Sequence, residues 1–137
     1  MPNVIRIDHI AILSPNIEEN LSFWQDALGL ELTKVEDVPA EKSKVAFFPV
    51  GDSDIEIVQP TTDDSGLAHY LNKRGPGMHH ICLEVDDIEG MLLALKEKGI
   101  QLINDKPVSS SEGKRYAFIH PKSANGVLVE LYELTDL

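Results

Sequence analysis

The chain repeats itself. Written from Asp8, "DHIAILSPNIEENLSFWQDALGLEL" runs in parallel with "HHICLEVDDIEGMLLALKEKGIQL" from His79, the second copy one residue shorter, and His9 falls on His80. A segment that occurs twice has the same apolar face to bury twice, so both copies are expected to build the same supersecondary unit. Each opens with an alternating apolar run, the period of a half-buried strand. Each then passes a polar turn, Ser14-Pro15-Asn16 or Asp86-Asp87, that supplies a helix N-cap. Ile17, Leu21, Trp24 and Leu28 in the first copy, and Ile88, Met91 or Leu92, and Leu95 in the second, have helical spacing. Gly29 and Gly99 stand where a left-handed C-cap ends such a helix, and short strands beginning Leu30-Glu31-Leu32 and Ile100-Gln101-Leu102 are predicted to follow.

The remainder of each copy matches more loosely. "KVAFFPVGDSDIEIVQP" from Lys44 lies over "KRYAFIHPKSANGVLVELYEL" from Lys114, each reading as a strand, a turn rich in Gly, Asp, Ser or Asn, and a second strand. Glu56 falls on Glu130. The unit is therefore strand, helix and three strands, a βαβββ module present twice, and the fold class is α+β. The modules cover about residues 5–60 and 76–134 of a single domain spanning 1–137, a usual domain size. The connector "TTDDSGLAHYLNKRGPG" has a middle able to form a short helix, and nothing in its composition divides the halves.

A net charge of −11 argues against nucleic acid and anionic membranes, since both bind through clustered Lys and Arg. No stretch approaches the roughly 20 apolar residues that span a bilayer, and the start "MPNVIRIDH" has no export signal, so the expected location is the cytoplasm. A single cysteine, Cys82, fits a reducing compartment and reads as a small core residue between Ile81 and Leu83. The few cations leave room for a small anionic ligand where they gather, at Lys73-Arg74, Lys114-Arg115 and Lys122.

A lone strand histidine, or a lone glutamate in an apolar run, carries little. Here the same pair recurs: His9 with Glu56, and His80 with Glu130, each about fifty positions apart. Two imidazoles and two carboxylates suit a divalent first-row ion such as Co, Mn, Ni, Zn or Fe, whereas Mg or Ca would take all-oxygen shells. His80, not His79, matches His9, so His79 is expected to face away. His69 and His120 have no counterpart in the repeat and are not expected to ligate. A carboxylate inside "VLVELYEL" is costly to bury unless paired or on a metal, although alternation alone leaves Glu130 free to face either water or a site.

At these residues the chain resembles the vicinal oxygen chelate superfamily (glyoxalase, bleomycin resistance and dioxygenase proteins), and within it the methylmalonyl-CoA epimerase family. "DHIAI" at 8–12, "GMHHICLEVDD" at 77–87 and "HPKSANGVLVELYE" at 120–133 carry the likeness. The resemblance implies paired βαβββ modules around a sheet-lined, metal-binding cleft, with ligands at His9, Glu56, His80 and Glu130 and a homodimeric assembly. It implies a metal-dependent epimerase acting on (R)- and (S)-methylmalonyl-CoA through a stabilised enolate, with cobalt first among the metals and Mn, Ni or Zn as alternatives. Some members carry Gln where this chain has Glu56. Glu130 is the implied acid–base group. Counting from "PAEKSKVAFF" puts Ala46 where relatives have a second carboxylate, leaving Glu41, by proximity, as one candidate for that task beside a water or a connector residue. Lys114, Arg115 and Lys122 offer charge for the anionic acyl-CoA. A glyoxalase I-type lactoylglutathione lyase and a non-catalytic small-molecule binding module remain the alternatives. An extradiol dioxygenase fits less well, because its iron site uses two His and one carboxylate with positions open to oxygen.

Overall fold

The computed structural model describes residues 2–110 and 113–134. Both expected modules are present. The first is β1 (Val4–Leu13), α1 (Ile17–Leu21), β2 (Lys34–Val38), β3 (Ser43–Val50) and β4 (Ser53–Pro60); the second is β5 (Gly77–Val85), α3 (Ile88–Glu97), β6 (Val108–Ser109), β7 (Lys114–Ile119) and β8 (Val129–Leu134). The connector forms α2 (Gly66–Arg74). Contacts group the chain into two compact units, His9–His79 and Met1–Asp8 with His80–Leu137. The start of β1 therefore belongs with the second module.

Strand pairing repeats in the two units. In the first, β2 pairs antiparallel with β3, β3 antiparallel with β4, and β4 parallel with β1. In the second, β6 pairs antiparallel with β7, β7 antiparallel with β8, and β8 parallel with β5. The parallel contact follows from the helix that separates the first strand of each module from its last, since a parallel neighbour needs a crossover.

The caps form as the turns predict. Asn16 Oδ1 accepts from the Glu18 N–H, and Asp87 Oδ1 accepts from the Gly90 N–H at 3.0 Å. Gly29 and Gly99 both adopt φ of +78°, the left-handed conformation that lets each helix stop. A second tie recurs at the helix starts: Gln59 Oε1 accepts from the Ile17 N–H at 2.9 Å, and Glu133 Oε1 from the Ile88 N–H at 2.7 Å.

The core lies where strands meet helices. Ile17, Leu21 and Trp24 of the first helix pack on Ala46, Phe48 and Ile57, with Phe48 and Ile57 fully buried. Leu67, Tyr70 and Leu71 of α2 cover the opposite face through Ala11, Leu13, Val45 and Val58. In the second unit Ile88, Leu92 and Leu95 of α3 pack on Val85, Ala117, Ile119 and Leu131. Burial of each such side chain contributes about 1.5–3 kcal/mol.

Four expectations change. Leu28 is 53% exposed instead of completing the apolar stripe. Beyond Leu21 the helix widens to a π-helical segment, Ser22–Ala27, in which the Leu28 N–H donates to Phe23 O, and the wider turn rotates later positions off the stripe. The strand expected from Leu30 does not form, because the Leu30 N–H turns back to Trp24 O, and laddering begins only when the Thr33 N–H reaches Phe47 O. From Ile100 to Leu102 there is a single bridge, Leu102 to Ile119. The overlay of Lys44 on Lys114 is also one residue out. Phe47 pairs with Glu56 and Phe118 with Glu130, while Ala46 and Ala117 are both fully buried, so Val45-Ala46-Phe47 answers Tyr116-Ala117-Phe118.

Candidate functional site

In the first unit His9 and Glu56 share the α2 side of the sheet. Ala11 pairs with Glu56 and Leu13 with Val58, and side chains two apart along a strand point the same way. His9 Nδ1 lies 3.1 Å from Glu56 Oε2, with side chains only 12% and 14% exposed. Phe47 stands opposite Glu56 on β3, and the Lys34 ammonium lies 4.7 Å over its ring.

The second unit holds the equivalent pair. Cys82 pairs with Glu130, which sets His80 and Glu130 on the side of the sheet away from α3. His80 Nε2 lies 3.1 Å from Glu130 Oε1, with 12% and 16% of the side chains exposed. Phe118 faces Glu130 across β7, its ring edge-on to His80 at 5.6 Å and 84°. The two copies use opposite ring nitrogens, Nδ1 in one and Nε2 in the other. Each pair offers one nitrogen and one carboxylate oxygen in a half-buried setting, the donor chemistry of a first-row divalent cation.

A polar network adjoins the second pair. Arg6 donates through Nε to Glu84 Oε1 and through Nη2 to Asp8 Oδ1, both at 2.8 Å. The Tyr132 hydroxyl donates to the same Asp8 oxygen at 3.0 Å. Burial, then the neighbouring Asp8 carboxylate, raises the Tyr132 pKa above the ordinary phenol value, which keeps this hydroxyl a donor. Sequence reasoning missed all four residues, since they come from three strands and no local spacing links them.

The other predicted residues separate. Lys114 extends from the Glu130 side of β7, its ammonium 5.5 Å over the Tyr132 ring. Arg115 alternates to the opposite side and pairs with Glu89 at the start of α3. Lys122 is exposed in the one-turn helix Pro121–Ala124. Glu41 is exposed at the end of the one-turn helix Pro39–Glu41, directly before β3. Ala46 is fully buried on the α1 side, so the count that placed it among the site groups fails: Val45 and Phe47 share the Glu56 side. His79 lies on Tyr70 at 4.7 Å between ring centres, whereas His80 meets Phe118 and Glu130. His69 is exposed on α2, and His120 Nδ1 caps the turn after β7 by accepting from the Lys122 N–H.

Comparison with known proteins adds an independent line. The profile of the glyoxalase/bleomycin resistance protein/dioxygenase superfamily matches residues 8–118. The chain is 37% identical over 127 residues to the mitochondrial methylmalonyl-CoA epimerase of Mus musculus, covering 92% of this chain and 71% of that one. It is 35% identical over 131 residues to the ethylmalonyl-CoA/methylmalonyl-CoA epimerase of Cereibacter sphaeroides, covering 94% and 98%. A solved methylmalonyl-CoA epimerase in complex with methylmalonyl-CoA and ammonium is similar with a TM-score of 0.83 at 30% identity, over 96% of this chain and 95% of that one.

Proposed function

The chain belongs to the glyoxalase/bleomycin resistance protein/dioxygenase superfamily and, within it, to the methylmalonyl-CoA epimerase family, and we infer that it interconverts (R)- and (S)-methylmalonyl-CoA. The observation that carries this reading is the half-buried His–Glu pair built twice, His9 with Glu56 and His80 with Glu130, each on a sheet face. We propose His9, Glu56, His80 and Glu130 as ligands for a divalent cation, cobalt first, with manganese, nickel or zinc as alternatives. Held there, the cation supplies Lewis-acid stabilisation of the negative charge that develops as the α-proton leaves.

The chain's own groups carry the proton. Glu130 accepts the α-hydrogen as the C–H bond breaks on one face of the substrate, and a second group returns a proton to the other face, inverting the centre. Glu41 is proposed for that second task, since its turn leads directly into β3, which pairs with the Glu56 strand. Lys114 is proposed as the contact for the anionic acyl-CoA, because it extends from the Glu130 side of β7. Arg115, tied to Glu89, and the exposed Lys122 are left with an outer role.

We further propose a homodimer, supported by three apolar residues of β1 that remain exposed: Val4 at 51%, Ile5 at 55% and Ile7 at 45%. No helix among the described residues is long and apolar enough to cross a membrane. A cytoplasmic setting is proposed on the buried free thiol of Cys82.

Incubation with methylmalonyl-CoA in deuterated solvent with added Co2+ tests the function. The α-hydrogen is expected to exchange and the two epimers to equilibrate. Absence of exchange overturns the reading, and turnover of methylglyoxal with glutathione in its place would make the chain a glyoxalase I-type lyase.

A further inference from the structure

Resting on the reading of His80 as a cation ligand, we propose that Phe118 is a positioning residue for the metal centre, its ring fixing the plane of the His80 imidazole, and that Asn104 in turn fixes Phe118. The terminal torsion of a histidine is broad and roughly two-fold, so the backbone alone does not set the ring plane. Contact with Glu130 Oε1 at 3.1 Å holds the imidazole at Nε2, and a ring packed against its face or edge adds a restraint on the ring plane itself. The Phe118 ring, near-perpendicular to His80 at 5.6 Å, supplies that restraint.

Phe118 is itself held from both sides. Its ring meets Tyr116 edge-on at 6.2 Å. On the outer side of β7, β6 pairs only through Val108 and Ser109 and does not reach Phe118. The loop before β6 takes over there. Asn104 Oδ1 accepts from the Phe118 N–H at 2.8 Å, while the N–H groups of Ile103 and Asn104 donate to the Phe118 carbonyl at 2.8 and 3.3 Å. The backbone polar groups that a missing strand would leave unpaired are thereby satisfied at the residue that backs the ligand.

The strand register, though not the ring contact, recurs in the first unit. Phe47 stands opposite Glu56 as Phe118 stands opposite Glu130, although the intervening turns differ in sequence and length. Hydrogen-bonding groups behind a ligand change metal affinity by about tenfold to a hundredfold when lost, and a packed ring that orients the ligand is expected at the lower end of that range.

The test is titration of the chelator-stripped full chain with Co2+, followed by its absorption spectrum, for the unaltered protein, Phe118→Leu, Phe118→Tyr and His80→Ala. Phe118→Leu is expected to bind Co2+ about tenfold more weakly, and Phe118→Tyr, which keeps the ring, to stay within about twofold of the unaltered protein. His80→Ala is expected to lose tight binding. Undiminished affinity in Phe118→Leu beside a loss in His80→Ala overturns this inference alone. Undiminished affinity in His80→Ala overturns the assignment of His80 on which it rests. Should Phe118→Leu fail to fold, Phe118→Met replaces it under the same criteria.

Discussion

A Glu130→Gln chain is expected to bind its cation within about tenfold of the unaltered protein while losing α-hydrogen exchange by about a thousandfold. The amide keeps an oxygen in the donor position and keeps the shape of the side chain, but it cannot take a proton from carbon. Ligation and proton transfer are thus separated at one atom. Glu56→Gln is the matched control, because the family resemblance allows Gln at that place, and it is expected to retain exchange within about tenfold. Following the α-hydrogen by proton NMR in deuterated solvent, beside a Co2+ titration, measures both quantities. Should Glu56→Gln be the inactive variant and Glu130→Gln the active one, the two modules would have exchanged the roles assigned to them.

The largest effect on stability is expected at Phe48. Its side chain is fully buried among Ile17, Ala46, Ile57 and Trp24, where the first helix meets β3 and β4. Phe48→Ala removes that contact surface and leaves a cavity that neighbours fill only in part, at a cost of about 3–5 kcal/mol. Because domains of this kind are stable by only about 5–15 kcal/mol, this is a large share of the total. Urea unfolding would show it as a lower midpoint with an unchanged slope. A loss below about 1 kcal/mol would mean that the cluster around Phe48 is not the packed core of this unit.

Much of the fold was legible because the chain states it twice. Asn16 and Asp87 read as caps, Gly29 and Gly99 as helix ends, and the matching of His80, not His79, with His9 gave each module its His–Glu pair. What escaped depends on hydrogen bonds that composition does not encode. The π-helical segment after Leu21 shifted the phase of the apolar stripe, which exposed Leu28 and delayed β2. A one-residue slip in the count from "PAEKSKVAFF" put Ala46 among the site groups although it lies on the other side of β3, since each step along a strand reverses the face. The network of Arg6, Asp8, Glu84 and Tyr132 was invisible because its hydrogen bonds join residues up to 124 positions apart. Gln59 and Glu133 could have been found: each lies three residues beyond its module's site glutamate, an offset present in the repeat itself.

That odd offset constrains how such a protein can change. Glu56 and Gln59, like Glu130 and Glu133, emerge from opposite sides of their strand, one toward the donor pair and one to the first amide of the helix. Inserting or deleting one residue between the members of either couple would swing one of the two side chains through the sheet. The fold therefore tolerates exchanged side chains and longer loops, but not a change of spacing within either of these two couples.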